Sequence, residues 1–291
     1  MISGIDVSHW QSDIDWAEVK RSGVRFAFIK ATEFPDKRTT LFVDNKFKAN
    51  ADGAKANGIH WGAYHFFRTH IDPVIQAKVF CETVGEFSSL PPVLDLEAAG
   101  SKGERLNYKV RQFLEEVERI TNRKPVIYTS SGFWRSYMTS EKSDHTNWAR
   151  FYPLWLAHYT SLWPNSPYPW IGWSFWQYSD RGTLPGIKTH VDLNWFNGLE
   201  EELIEQFIKI DGNTNYSSTP DINLPKQYVF DENYIVDLNF KGDVDLSFKG
   251  DYQEEMQNSS LRQPVTDKSN IAEAKYSSQE ENWIRSYFFN N

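Results

Sequence analysis

Asp95 and Glu97 stand two residues apart in a short apolar stretch, Pro91-Pro92-Val93-Leu94-Asp95-Leu96-Glu97. Side chains two apart on a β-strand share a face, so both carboxyls project together while Leu94 and Leu96 point into packing. Setting two acids side by side on a strand costs free energy unless they perform a task. A carboxyl pair does general acid/base work, and hydrolysis of a glycosidic bond is a reaction that employs two of them. Two further acids sit at comparable places. Asp6 lies near the end of the apolar run Ile2 to Val7, and Asp192 ends a run that starts at Lys188.

These acids need elements to hold them. Strand patterns cover Ile2 to Val7, Arg25 to Ala31, Ile59 to Phe67, Pro91 to Glu97, Lys124 to Thr129, Pro153 to Tyr159, Ile171 to Tyr178 and Lys188 to Leu193. Between them, helical spacing appears at Asp15 to Lys20, at 42–57, at 73–87 with Pro73 in its first turn, and around Gly132 to Tyr137. The clearest stripe is Leu106, Val110, Phe113, Leu114, Val117 and Ile120. A last helix is expected over Leu199 to Ile210. This order predicts an α/β fold, a TIM-like β/α barrel with helices missing from its later part, of (β/α)5(β)3 type. Catalytic groups of such barrels sit at the C-terminal ends of strands. Strands one and eight are neighbours on closure, which brings Asp6 beside Asp192. A lone aspartate at a strand end ordinarily caps a loop or meets a Lys or Arg, but that explanation does not extend to four acids at matching ends. Crowded as anions they repel, and the repulsion raises at least one pKa, keeping a carboxylic acid protonated near neutral pH.

The barrel is expected over 1–211. Residues 212–224 read as a linker rich in Asn, Ser, Thr and Gly. Residues 225–291 form a small acidic appendage. Tyr234 to Lys249 alternates apolar and polar residues as a β-hairpin, and Ala272 to Phe289 shows a helical pattern. The chain of 291 residues has a net charge of −8. Most of that charge lies beyond residue 210, and neither half carries the basic stripe that nucleic acid requires. The appendage is expected to dock a protein partner or to act as a targeting module. Cys81 is the sole cysteine. No Cys/His cluster has zinc spacing, and the chemistry calls for no metal and no cofactor. No apolar run approaches membrane-spanning length. Residues 1–12 lack the basic and apolar regions of a signal peptide, so either cytoplasmic synthesis with phage-type or dedicated export, or a signal removed before residue 1, is expected. Twelve Trp are present, and indoles offer the flat faces on which pyranose rings stack.

Several motifs occur in one order: Gly4-Ile5-Asp6-Val7-Ser8 with Trp10-Gln11, Phe28-Ile29-Lys30-Ala31-Thr32-Glu33, Gly62-Ala63-Tyr64-His65-Phe66, Asp95-Leu96-Glu97, Leu154-Trp155-Leu156-Ala157 with Tyr159, Trp176-Gln177-Tyr178 and Val191-Asp192-Leu193-Asn194. Over about residues 2–210 the chain resembles the family 25 glycoside hydrolases, the Chalaropsis-type lysozymes. Phe34 departs from the glycine common in that family. The resemblance implies an N-acetylmuramidase that cuts the β-1,4 bond between N-acetylmuramic acid and N-acetylglucosamine of peptidoglycan, acting on the cell wall outside the cytoplasm. It implies Glu97 as general acid/base and Asp95 as the carboxylate that orients the 2-acetamido group. Asp6 and Asp192 would tune Glu97 or hold substrate, and Tyr64, Lys30, Tyr128, Tyr159, Trp155 and Gln177 would contact it. His65 and His158 read as ordinary strand-end histidines. Two other readings stay open: a chitinase-like glycosidase, although only the final D-x-E of the D-x-x-D-x-D-x-E signature is matched, and a wall-binding protein without catalysis.

Overall fold

A computed structural model describes residues 1–208 apart from 36–38, 86–88, 101–102, 139–144 and 161. The expected linker at 212–224, the hairpin and helix of 225–291, and the last residues of the final helix lie outside the described residues.

Nine strands form one sheet: β1 (Ile2–Val7), β2 (Phe26–Glu33), β3 (Phe42–Val43), β4 (His60–Phe66), β5 (Val93–Asp95), β6 (Val126–Ser130), β7 (Leu154–Ala157), β8 (Phe175–Gly182) and β9 (Val191–Phe196). Their order is β1-β9-β8-β7-β6-β5-β4-β2-β3, and an additional β1–β2 pairing closes every strand but β3 into a barrel. The short β3 lies antiparallel on the end of β2, where the sequence pattern predicted the first turn of a helix. That helix, α2, begins only at Phe47 and ends at Ala56. Gly58 follows with φ +62°, a left-handed turn that glycine makes at no steric cost.

The other helices follow local chemistry. In α1 (Trp16–Arg21) the Asp15 carboxylate accepts the Glu18 N–H at 3.0 Å, satisfying a donor that the first turn leaves orphaned. In α3 (Pro73–Val84) Asp72 accepts from Val74 and Ile75, and Pro73 occupies the first turn. The amphipathic α4 (Gly103–Thr121) buries Leu106, Val110, Phe113, Leu114 and Val117 completely. A three-residue α5 (Ser131–Phe133) runs into a π-helical turn, Trp134–Met138. Among the described residues no α-helix intervenes between β7, β8 and β9, as the later part of the sequence pattern predicted.

Two strands differ from expectation in ways that matter for the site. The seventh lies later than Ile171 to Tyr178, at Phe175–Gly182. The final strand is antiparallel to both neighbours, β1 and β8. Asp192 is therefore near the start of its strand rather than its C-terminal end. Reversal of the strand places that start at the same rim as the C-terminal end of β1.

Two apolar layers hold the barrel. Outside, the helices pack on the sheet. Inside, Phe26, Phe28, Trp155, Phe175 and Phe196 fill the ring, and Leu203 and Phe207 of α6 (Glu200–Phe207) join the same cluster. Phe28 stacks on Trp155 with centroids 4.4 Å apart and meets Phe175 edge-on at 5.0 Å. Gly4 serves this packing, because a Cβ there would lie 2.3 Å from the Phe26 ring. Truncating Phe28 to Ala leaves a cavity that fully buried neighbours cannot fill. The expected loss is about 3–5 kcal/mol of unfolding free energy, read from urea denaturation followed by tryptophan fluorescence.

Candidate active site

The antiparallel register sets Asp6 of β1 directly opposite Asp192 of β9. The two carboxyls hydrogen-bond to each other. Asp6 Oδ2 also accepts two amide donors, Nε2 of Gln177 at 2.8 Å and Nδ2 of Asn194 at 2.8 Å. Asn194 is in turn held by the Trp155 indole, whose Nε1 donates to its Oδ1 at 2.7 Å. Burial removes the hydration that favours the charged form and pushes Asp6 up to about 6, although the donors from Asn194, Gln177 and Asp192 pull the other way. Asp192 is pushed up to about 8, by burial first and then by the Asp6 charge. A pair of this kind holds one proton between two acids, with the doubly donated Asp6 as the anionic member.

Asp95 is the last residue of β5, and Glu97 lies just past the strand rather than on it. Asp95 is buried, and its Oδ1 has no hydrogen-bond partner. Burial and the neighbouring Glu97 push its pKa well up. Glu97 is exposed by surface area. It nevertheless lines a recess of about 300 Å³ with Tyr128, Ser130, Arg135, His158 and Tyr159. The protein around it strips part of its hydration, and that desolvation raises its pKa while Lys30 opposes the shift.

Lys30 does not pair directly with these acids. Its Nζ bonds Glu33 Oε2 at 2.7 Å, and Arg68 Nε donates to Glu33 Oε1 at 3.0 Å. Both cations lie over the Phe66 ring, at 5.1 Å and 4.3 Å. Tyr64 faces Asp6, Asp95 and Asp192, and burial together with those charges drives its hydroxyl far above the usual tyrosine range, so it stays protonated. Tyr128 and Tyr159 both reach Gln177 Oε1, at 2.9 Å and 3.0 Å. Tyr128 is buried and Tyr159 exposed.

The structure thus gathers Asp6, Asp192, Gln177, Tyr128 and Tyr159 into one network, with Tyr64, Asp95, Glu97 and Lys30 beside it. Trp155 stands apart from the opening, 2% exposed inside the barrel. Phe34 is buried as well. His65 is fully buried between Thr32 Oγ1 at 2.8 Å and Gln76 Oε1 at 3.0 Å, and burial pushes it down to about 4, so it stays neutral. Asn194, Glu33 and Arg68 were not singled out from sequence. Asn194 carried a usable signal, since it stands two residues after Asp192 and alternation puts both on one face.

The family model for glycosyl hydrolases family 25 matches residues 5–187. YegX of Escherichia coli O157:H7 is 42% identical over 213 residues, covering 69% of this chain and 72% of that protein. Lysozyme M1 of Streptomyces globisporus is 36% identical, covering 70% of each. The crystal structure of the bacterial lysozyme from Streptomyces coelicolor superposes with a TM-score of 0.62 at 34% identity, covering 70% of this chain and 95% of that one.

Acids whose pKa is higher folded than unfolded bind protons on folding, so their contribution favours the fold at low pH and fades as pH rises. For Asp192 the window runs from the ordinary aspartate value near 4 up to about 8. Asp192→Asn removes this liability. Its Tm is expected to match wild type near pH 4 and to exceed it by several degrees at pH 8, in calorimetric scans across that range.

Proposed function

The chain belongs to glycosyl hydrolase family 25, and from that premise we propose that Glu97 and Asp95 carry out its chemistry on the glycan of peptidoglycan. The protein is a glycoside hydrolase of the lysozyme type, a muramidase whose substrate is the bacterial cell wall. The bond cut is the β-1,4 link from N-acetylmuramic acid to N-acetylglucosamine.

The observation that carries the assignment of roles is the contrast between the two acids at the end of β5. Glu97 faces the recess with a raised pKa, which suits a proton donor to a leaving sugar oxygen near neutral pH. Asp95 is buried with an unpartnered Oδ1, which suits acceptance of the N–H of a 2-acetamido group. In the free protein the more deeply buried Asp95 competes for the proton. An N–H donated to Oδ1 stabilises the Asp95 anion and leaves the proton to Glu97. The acetamido oxygen, polarised in this way, attacks C1 as Glu97 protonates the departing oxygen. Glu97, now anionic, then takes a proton from the water that opens the resulting ring, and the cycle closes with both groups restored.

Tyr64 adds a protonated hydroxyl beside the acids. Lys30, anchored by Glu33, supplies positive potential that limits how far the pKa of Glu97 rises. Asp6 and Asp192 act on Glu97 by charge from the adjoining rim.

Glu97→Gln keeps the shape and removes the transferable proton. Wall lysis is expected to fall by about 10²–10⁴-fold, with binding to insoluble walls retained in a sedimentation assay. Mass spectrometry of fragments released by the wild type should show N-acetylmuramic acid at the reducing end. N-acetylglucosamine there, or full lysis by the Gln variant, defeats the assignment.

A further inference from the structure

The side chain of Gln177 on β8 makes four hydrogen bonds, and they exhaust it. Its Nε2 donates to Oδ2 of Asp6 at 2.8 Å and to Oδ2 of Asp192 at 3.3 Å. Its Oε1 accepts the hydroxyls of Tyr128 at 2.9 Å and Tyr159 at 3.0 Å. A primary amide has two N–H donors and an oxygen with two lone pairs, so no capacity remains for a sugar. The residue is also 2% exposed. Its partners set its orientation: a flipped amide would turn its oxygen on an acid pair that has one proton to offer, and its donors on hydroxyls.

We propose that Gln177 is a positioning residue that ties the Asp6–Asp192 pair to Tyr128 and Tyr159, and that it restricts both tyrosine hydroxyls to accepting hydrogen bonds from the substrate. A phenol has a single O–H to donate. Here both donors are spent on Gln177 Oε1. Tyr128 and Tyr159 line the recess with Glu97, so what they offer a glycan there is oxygen lone pairs. They select N–H and O–H groups, such as ring hydroxyls and acetamido nitrogens, and disfavour a carbonyl or carboxylate in the same place. This deepens the muramidase reading and rests on it for the identity of the glycan.

The surroundings make the idea testable through protons. Facing position 177 are Asp6 of β1, Asp192 of β9, Tyr128 of β6 and Tyr159 after β7. The same cluster includes Asp95 and Glu97 at the end of β5, Tyr64 of β4 and Asp180 of β8, while Lys30 of β2 acts on Asp95 and Glu97. Gln177→Glu preserves size. As a neutral acid, the introduced carboxyl donates its O–H to Asp6 and still accepts the tyrosines. As an anion it presents oxygen to oxygen and adds a charge to an acidic cluster.

The expected result is a variant whose rate approaches wild type near pH 5. Above the pKa of the introduced carboxyl the ratio to wild type should fall by about tenfold per pH unit, as for a single required proton, mainly in kcat. Gln177→Ala should lose kcat at every pH with a smaller change in KM. A second readout needs no activity: the Tm of Gln177→Glu should match wild type at pH 5 and drop behind as the pH rises, because an acid held neutral by the fold is then forced to ionise. A constant ratio of rates and a constant Tm offset across pH overturn the proposal. So does a Gln177→Ala enzyme with raised KM and unchanged kcat, which makes Gln177 a direct sugar ligand. If wild type releases no muramyl reducing ends, the muramidase reading fails while the Tm comparison still decides the positioning role.

Discussion

The direction of the last strand is the constraint from which the mouth of this barrel follows. β9 enters the ring antiparallel to both neighbours, and its register places Asp192 opposite Asp6. Cross-strand partners lie within about 5.5 Å of one another, a separation at which like charges destabilise a sheet. The protein offsets this by letting the acids share a proton and by aiming two amide donors at one oxygen of Asp6. The same reversal accounts for the helix missing between β8 and β9, whereas β7 and β8 are parallel and are joined without an α-helix among the described residues. Antiparallel neighbours can be joined by a short turn, whereas parallel ones need a long crossover that is usually a helix. A ring closed by β8 and β9 as a hairpin has no crossover helix to place there.

Charge around the opening is partitioned rather than neutralised in bulk. Glu33 holds Lys30 and Arg68 in a compact ion cluster over Phe66, with all three side chains largely removed from solvent. The acids near it keep raised pKa values because burial strips their hydration, while the cations, bonded to Glu33, pull them down only through space. Neutral hydrogen-bonding groups complete the arrangement. Gln177 and Asn194 carry no charge, yet they decide which carboxyl of the pair is best stabilised as an anion.

Most of the scaffold was legible in the sequence because apolar alternation and the α4 stripe are strong signals of periodicity. Their limits are equally physical. A period of two says that residues share a face but not which way the strand runs, so Asp192 was placed on the right rim for the wrong reason. Alternation also cannot tell a strand from an extended residue just past it, as with Glu97. Aromatic richness is ambiguous for a related reason: Trp155 packs inside the barrel, whereas Trp10 and Trp163 are exposed, and composition treats all three alike. Gln177 read as a sugar contact because it falls in the Trp176-Gln177-Tyr178 motif that carries the family resemblance. The hydrogen-bond inventory, which spends all four of its polar positions on Asp6, Asp192, Tyr128 and Tyr159, is what favours a positioning role instead.

Among the described residues, Phe26, Phe28, Trp155, Phe175 and Phe196, joined by Leu203 and Phe207, fill the interior of the barrel as a packed core rather than a pore. The fold is a cup and not a pipe. Substrate strand, attacking water and both severed chain ends share one doorway, so turnover of a long polymer is governed as much by traffic across that threshold as by the bond broken there.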